Sequence, residues 1–224
     1  MNTNASSTRR FRALSGISGI AGVLLLGGSF AINNGPPPDA GPAELLRFIQ
    51  QHSAAVLAGA WMQALGPFLI VLFALALVHL AGAASRLSGW MTFFGAVILM
   101  TVSLIEITFY IAGLNPGPAA LPGALPFISL KLISAVQHLY FFIAAPALFC
   151  PLGLILVRSR VLPRVFGYLA LVLAVAFASL GVIYLRHLTL PDWVTSFAAI
   201  QALWWLAASI ALIAGRSSVP DPRK

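Results

Sequence analysis

The sequence predicts an all-α polytopic membrane protein, a single integral membrane domain built as a six-transmembrane-helix bundle. Three observations lead there. Apolar residues make up 60% of the 224 residues and Asp, Glu, Lys and Arg only 8%, against roughly 25% charged residues in a soluble domain. Mean hydropathy is +0.96, which leaves too little polar side chain to cover a water-soluble particle. The apolar residues are also gathered into six stretches, each long enough to supply the about 20 residues that cross a hydrocarbon core of roughly 30 Å.

The stretches run at about 13–32, 53–82, 90–113, 128–157, 165–185 and 193–214. Turn-forming segments separate them: NNGPPPDAGP after the first, ASRLSG after the second, LNPGPAALPGALP after the third, RSRVLPR after the fourth and HLTLPD after the fifth. The first span carries Ser15, Gly19 and Gly22 on one face, small residues that let another helix approach closely. Its arginine-led apolar run also fits a signal peptide with Ser29-Phe30-Ala31 at the cleavage site, although the run is longer than a usual signal core.

Ahead of the second span, Leu45, Leu46 and Ile49 face one way and Glu44, Arg47 and Gln51 the other. Residues 42–51 read equally as a short amphipathic helix on the outer surface or as an extension of the second span into water. Pro67 in the second span, and Pro146 and Pro151 in the fourth, each remove a backbone donor and are expected to bend their helices. Three spans in each half would permit an inverted repeat, but no motif recurs between the halves.

Charge sets the expected orientation. Arg9, Arg10, Arg12, Arg86, Arg158, Arg160, Arg164, Arg216, Arg223 and Lys224 fall on one side of a six-span topology, and only Arg47, Lys131 and Arg186 on the other. That asymmetry places both termini in the cytoplasm, with the Pro36-Pro37-Pro38 loop and the 116–126 loop outside. Asp39, Glu44 and Asp192 share the outer side. The net charge of +8 is spread between apolar stretches and forms no patch, so it reads as a topology signal and no nucleic-acid partner is expected.

One stretch carries a resemblance. In PLGLILVRSRVLPRVFGYLA, residues 151–170, one membrane helix ends at Arg158-Ser159 and the next begins after Leu162-Pro163-Arg164 with Gly167. This run, with IAGVLL at 20–25 after an arginine-rich start, resembles the DUF4386 family of bacterial multi-span membrane proteins. The resemblance implies a six-helix order and a bacterial inner membrane. It implies no activity, cofactor or functional residue.

The site must therefore come from the chemistry of the spans. Ionisable groups there cost roughly 2.5 to 3.5 kcal/mol at the centre on insertion scales and usually face the bundle interior. Glu106 lies about 10 Å from the outer end of the third span, His138 about 15 Å into the fourth, and Gln63 and Gln201 at about 12 to 15 Å in the second and sixth. Ser103, Glu106 and Tyr110 form one stripe, and Lys131, Ser134 and His138 another on the next, antiparallel helix. The expectation is an outer-half polar layer in which Glu106 meets His138 or Lys131, walled by Trp61, Tyr110, Tyr140, Phe141, Trp204 and Trp205. The competing expectation is a core network that only fixes helix register. His52 and His187 at the outer boundary and His79 near the inner one can each reach water.

Several chemistries are excluded by pattern. The one cysteine, Cys150, allows no intrachain disulfide, CxxC pair or thiolate cluster. HExxH and GxSxG are absent, and His138 is the only histidine well inside a span, so no haem, zinc or other cofactor is expected. Lys131, the only lysine in a span, sits near a helix end in the fourth, which excludes a Schiff base in a last helix. Three functions follow as alternatives. The first is binding or translocating a small molecule or lipid at the outer polar pocket. The second is a non-enzymatic accessory or regulatory subunit with a structural layer, and the third a lipid-acting membrane enzyme. The membrane lipid is the expected partner, and the sequence leaves the oligomeric state open.

Overall fold

The computed structural model describes residues 3–33, 36, 40–115, 121, 123–184 and 194–215. Among them every regular element is helical: α1 (Thr3–Ile32), α2 (Pro42–Leu80), α3 (Leu87–Gly113), α4 (Ala124–Leu139), a π turn (Tyr140–Ala144), α5 (Ala145–Arg158), α6 (Arg164–Ile183) and α7 (Val194–Ala214). α4, the π turn and α5 form one span, so the described residues hold six helices long and apolar enough to cross a membrane. Pro37, Pro38, Asp39, residues 116–120 and 122, Leu185, Arg186, His187, Asp192, Trp193, Arg216, Arg223 and Lys224 lie outside the described residues.

The helices begin earlier than hydropathy places them. α1 runs helical from Thr3, and α2 reaches back to Pro42, because helical hydrogen bonding continues past the edge of the apolar stretch. At 39 residues, α2 is about 58 Å long, nearly twice a hydrocarbon core. Residues 42–51 are therefore the extension of the second span: Leu45 is buried while Glu44, Arg47 and Gln51 are exposed. α2 passes through Pro67 without interruption and stops at a Schellman turn. Gly82 takes φ +62°, its N–H donates to the His79 carbonyl at 2.9 Å, and the Ala83 N–H donates to Val78 at 3.1 Å.

Small residues set the helix crossings. A Cβ on Gly22 would stand 2.8 Å from the Gly66 carbonyl oxygen, so α1 and α2 meet backbone to backbone at that pair. The same device joins α5 to α6 through Gly153 and Gly167. α1 also packs along α7 and α3 along α2, α4 and α5, which closes the order of helices around the bundle. Arg12 donates to the Leu212 carbonyl at 3.4 Å, so the start of α1 and the end of α7 lie together. With Arg86, Arg158, Arg160 and Arg164 at the adjoining helix ends, this is the arginine-rich end; Arg47 and Lys131 lie toward the opposite end, called here the Gly113 end.

The core occupies the middle of the bundle and the part toward the arginine-rich end. Phe73, Phe149, Phe177 and Trp205 are almost wholly buried, and Phe149 packs at 5.0 Å from Trp205 and 5.2 Å from Trp204. Trp204 donates its indole N–H to the Phe166 carbonyl at 3.0 Å, linking α7 to α6. Large apolar side chains such as Val172, Val175 and Leu203 point outward, as a lipid-facing surface requires.

Candidate functional site

The polar layer lies between this core and the Gly113 end. Glu106, seven residues before the end of α3, is 9% exposed. Its carboxylate Oε1 accepts a hydrogen bond from Gln137 Nε2 at 3.0 Å, and Gln63 of α2 is its second side-chain partner. Three helices thus converge on one carboxylate, two of them bringing neutral amides, and the Gln137 donor helps offset its removal from water. Ser103, one turn away on α3, is buried on the same face.

A second polar pair adjoins the first. Tyr140, the first residue of the π turn, donates its hydroxyl to Gln201 Oε1 of α7 at 2.5 Å. Both Tyr140 and Tyr110 lie within electrostatic reach of Glu106. Of the eight residues read from sequence as ligand-binding, the structure gathers Glu106, Gln63, Ser103, Tyr110 and Gln201 into or beside this layer. The other three, His138, Lys131 and Ser134, stand apart.

The expected meeting of Glu106 with His138 or Lys131 is replaced by Gln137. His138 Nδ1 pairs with the Ser134 carbonyl at 2.7 Å, and its buried Nε2 has no hydrogen-bond partner. Lys131 is exposed with its ammonium 5.5 Å from the Phe127 ring centre, and the Ser134 hydroxyl donates to Leu130 at 3.1 Å. The reason is the phase of α4. Its buried face runs through Pro126, Ser129, Ile133 and Val136, one or two residues away from the polar stripe that sequence spacing selects. Gln137, four residues after Ile133, shares the inward side. The signal that finds it is the apolar stripe at steps of three and four, not the polar one.

The walls also differ from expectation. Trp61 is 62% exposed and Trp204 and Trp205 belong to the aromatic core, so of the six aromatics only Tyr110 and Tyr140, with Phe141 packed edge-on against Tyr140, border the layer. His52 stacks on Phe48 at 4.6 Å, and His79 meets Phe11 edge-on at 5.5 Å; both are exposed.

Above the layer, toward the Gly113 end, is a cavity of ≈ 50 Å³. Leu45 and Phe48 from the first turns of α2, Phe109 and Tyr110 from α3, and Leu130 and Ile133 from α4 line it. Gly123 brings the starts of α2 and α4 together: with φ +80° it opens α4, and its missing Cβ leaves room for the Pro42 carbonyl of α2. The cavity is mostly apolar, and Tyr110 connects it to the Glu106 layer. Among the described residues no three of His, Cys, Asp and Glu lie close enough to hold a metal ion together.

The π turn is the local feature with no counterpart in the sequence reading. The Ala145 N–H returns to the Tyr140 carbonyl, five residues back, so one residue more than an α-helix holds is fitted into the turn. Pro146 follows it and cannot donate to the Phe142 carbonyl, four residues before. A Cβ on Gly181 of α6 would stand 2.5 Å from Phe142 Cα, so α6 packs directly on the backbone of the turn.

Comparison with known proteins leaves the site to speak for itself: no family model, no curated protein and no solved structure matches the chain.

Proposed function

We propose that the protein binds an amphiphilic small molecule or lipid at the Gly113 end, its apolar part in the cavity and its polar part toward Tyr110 and Glu106. The observation that carries this reading is the adjacency of an apolar cavity of ≈ 50 Å³ to a buried carboxylate layer, with Tyr110 shared between them. The volume suits a chain segment or small ring, not a whole lipid. The rest of an occupant would lie between α2 and α4 or in the bilayer. Translocation belongs to the same proposal as its dynamic form.

The orientation proposed with it puts the Gly113 end outside and both termini in the cytoplasm of a plasma membrane, a bacterial inner membrane in the DUF4386 reading. Its support is the gathering of Arg12, Arg86, Arg158, Arg160 and Arg164 at one end. The DUF4386 reading is part of the proposal and draws only on the sequence around Arg158-Ser159 and Pro163-Arg164.

A second reading has its own observation. Glu106 is already met by Gln137 and Gln63, an arrangement that suits a structural layer in an accessory or regulatory subunit. One experiment separates the two: native mass spectrometry of the purified protein, counting retained lipid or added fluorescent fatty acid. Ile133→Trp fills the cavity, whereas Leu132→Trp changes a lipid-facing residue next to it. Loss of the bound amphiphile in Ile133→Trp alone supports the binding site; equal retention in both variants removes it.

A further inference from the structure

We propose that the π turn is a register switch: its conversion to α-helix turns α4 by one residue and exchanges Gln137 for His138 at the Glu106 carboxylate. The inference goes beyond ligand binding and does not depend on it.

The geometry follows from counting. A π turn carries one residue more than α-helix between two fixed points. α5 is the fixed side, because Gly153 and Gly167 lock it to α6 backbone to backbone and Gly95 of α3 closes on the Ala147 carbonyl. If the extra residue is released, α4 moves about 1.5 Å toward its own N-terminus and turns about 100°. Each site on the bundle then receives the next residue along. His138 takes the place of Gln137, Ser134 that of Ile133, and Lys131 that of Leu130, which lines the cavity.

Four observations make this more than arithmetic. The sequence carries a polar stripe, Lys131, Ser134 and His138, one residue out of phase with the positions that α4 now turns inward. His138 holds a buried ring nitrogen with no hydrogen-bond partner, and the second register gives that imidazole a carboxylate to face. The present register is latched at both ends of one helical turn: Gln137 to Glu106 at 3.0 Å and Tyr140 to Gln201 at 2.5 Å. In the second register Phe141 replaces Tyr140 opposite Gln201 and cannot donate. The residues before α4 end at Gly123, whose φ of +80° other residues rarely adopt and whose freedom suits a helix start that moves.

The test is disulfide trapping in the full-length chain in membranes, with Cys150→Ser removing the native thiol. Glu106→Cys is paired with Gln137→Cys or with His138→Cys, and the oxidised pairs are quantified by mass spectrometry of non-reduced peptides. The 106–137 pair should dominate, with a smaller 106–138 yield. Adding Tyr140→Phe removes the latch and should raise the 106–138 to 106–137 ratio about threefold, the factor carried by an average hydrogen bond between membrane helices. Deleting Ile143 removes the extra residue while both flanking registers stay as they are, so 106–137 should remain the pair, 106–138 should fall to background, and Tyr140→Phe should no longer raise it. An unchanged ratio in Tyr140→Phe overturns the switch, and so does a deletion variant in which Tyr140→Phe still raises the 106–138 yield. Should the deletion variant fail to fold, Tyr140→Phe alone decides. No ligand is used, so failure here leaves the cavity reading intact, and failure of the cavity reading leaves this one.

Discussion

Replacing Glu106 and Gln137 by leucine, singly and together, isolates the contact on which the polar layer is built. The single substitutions mix several effects. Glu106→Leu strips Gln137 of its acceptor and changes the surroundings of Gln63, yet it also removes a carboxylate whose presence in a span is costly. The double-mutant cycle cancels the second effect and leaves the pairwise energy. Hydrogen bonds between membrane helices average about 0.6 kcal/mol and reach about 1.7. A 3.0 Å amide-to-carboxylate bond at a residue 9% exposed belongs in the upper half of that range, so a coupling of about 1 kcal/mol is expected. Reversible unfolding in mixed micelles gives the four stabilities. The matching cycle with His138→Leu should show much weaker coupling, since both ring nitrogens of His138 are turned elsewhere. Additivity of Glu106→Leu with Gln137→Leu, or equal coupling to both neighbours, would refute the assignment of Gln137 as the partner.

Two further outcomes follow from the packing and the charges. Gly22→Ala places a methyl 2.8 Å from the Gly66 carbonyl oxygen and should destabilise the bundle by about 1 to 3 kcal/mol in the same unfolding assay. Gly27→Ala, where a Cβ meets nothing within 4 Å, should cost nothing; equal effects would show that α1 and α2 do not meet at Gly22. For orientation, a cysteine at Arg160 in the Cys150→Ser background should resist a membrane-impermeant maleimide on intact cells and react once they are opened. Efficient labelling of intact cells would invert the proposed topology.

The six spans were legible because lipid imposes a condition on composition that survives without knowledge of packing: each apolar stretch had to be a helix, and successive turns had to fall at opposite ends, which gathers the arginines at one of them. The layer was legible in depth for the same reason, since position along a helix converts directly to distance. Its azimuth was not. Choosing between Gln137 and His138 is a choice of about 100°, and the polar stripe through Lys131, Ser134 and His138 pointed to the wrong one. The apolar stripe of α4 holds the better phase, but the phase of α4 relative to α5 is broken by a turn that no residue type specifies. Pro146 signals an interruption and does not say whether the helix there tightens, bends or widens. The cavity was illegible for another reason: its lining depends on α2 continuing past the apolar stretch through Leu45 and Phe48, where the starts of α2 and α4 meet at Pro42 and Gly123, residues about 80 apart in sequence.

Cys150 offers a practical consequence. It is the chain's one thiol, and it is exposed on a helix that faces lipid, four residues beyond Pro146 and directly before Pro151. A nitroxide placed there by a membrane-permeant reagent, with no mutation, reports from within the bilayer next to the widened turn. Paramagnetic relaxation by oxygen and by an aqueous nickel complex would read how deep that turn sits, giving the protein an internal depth gauge at its least regular point.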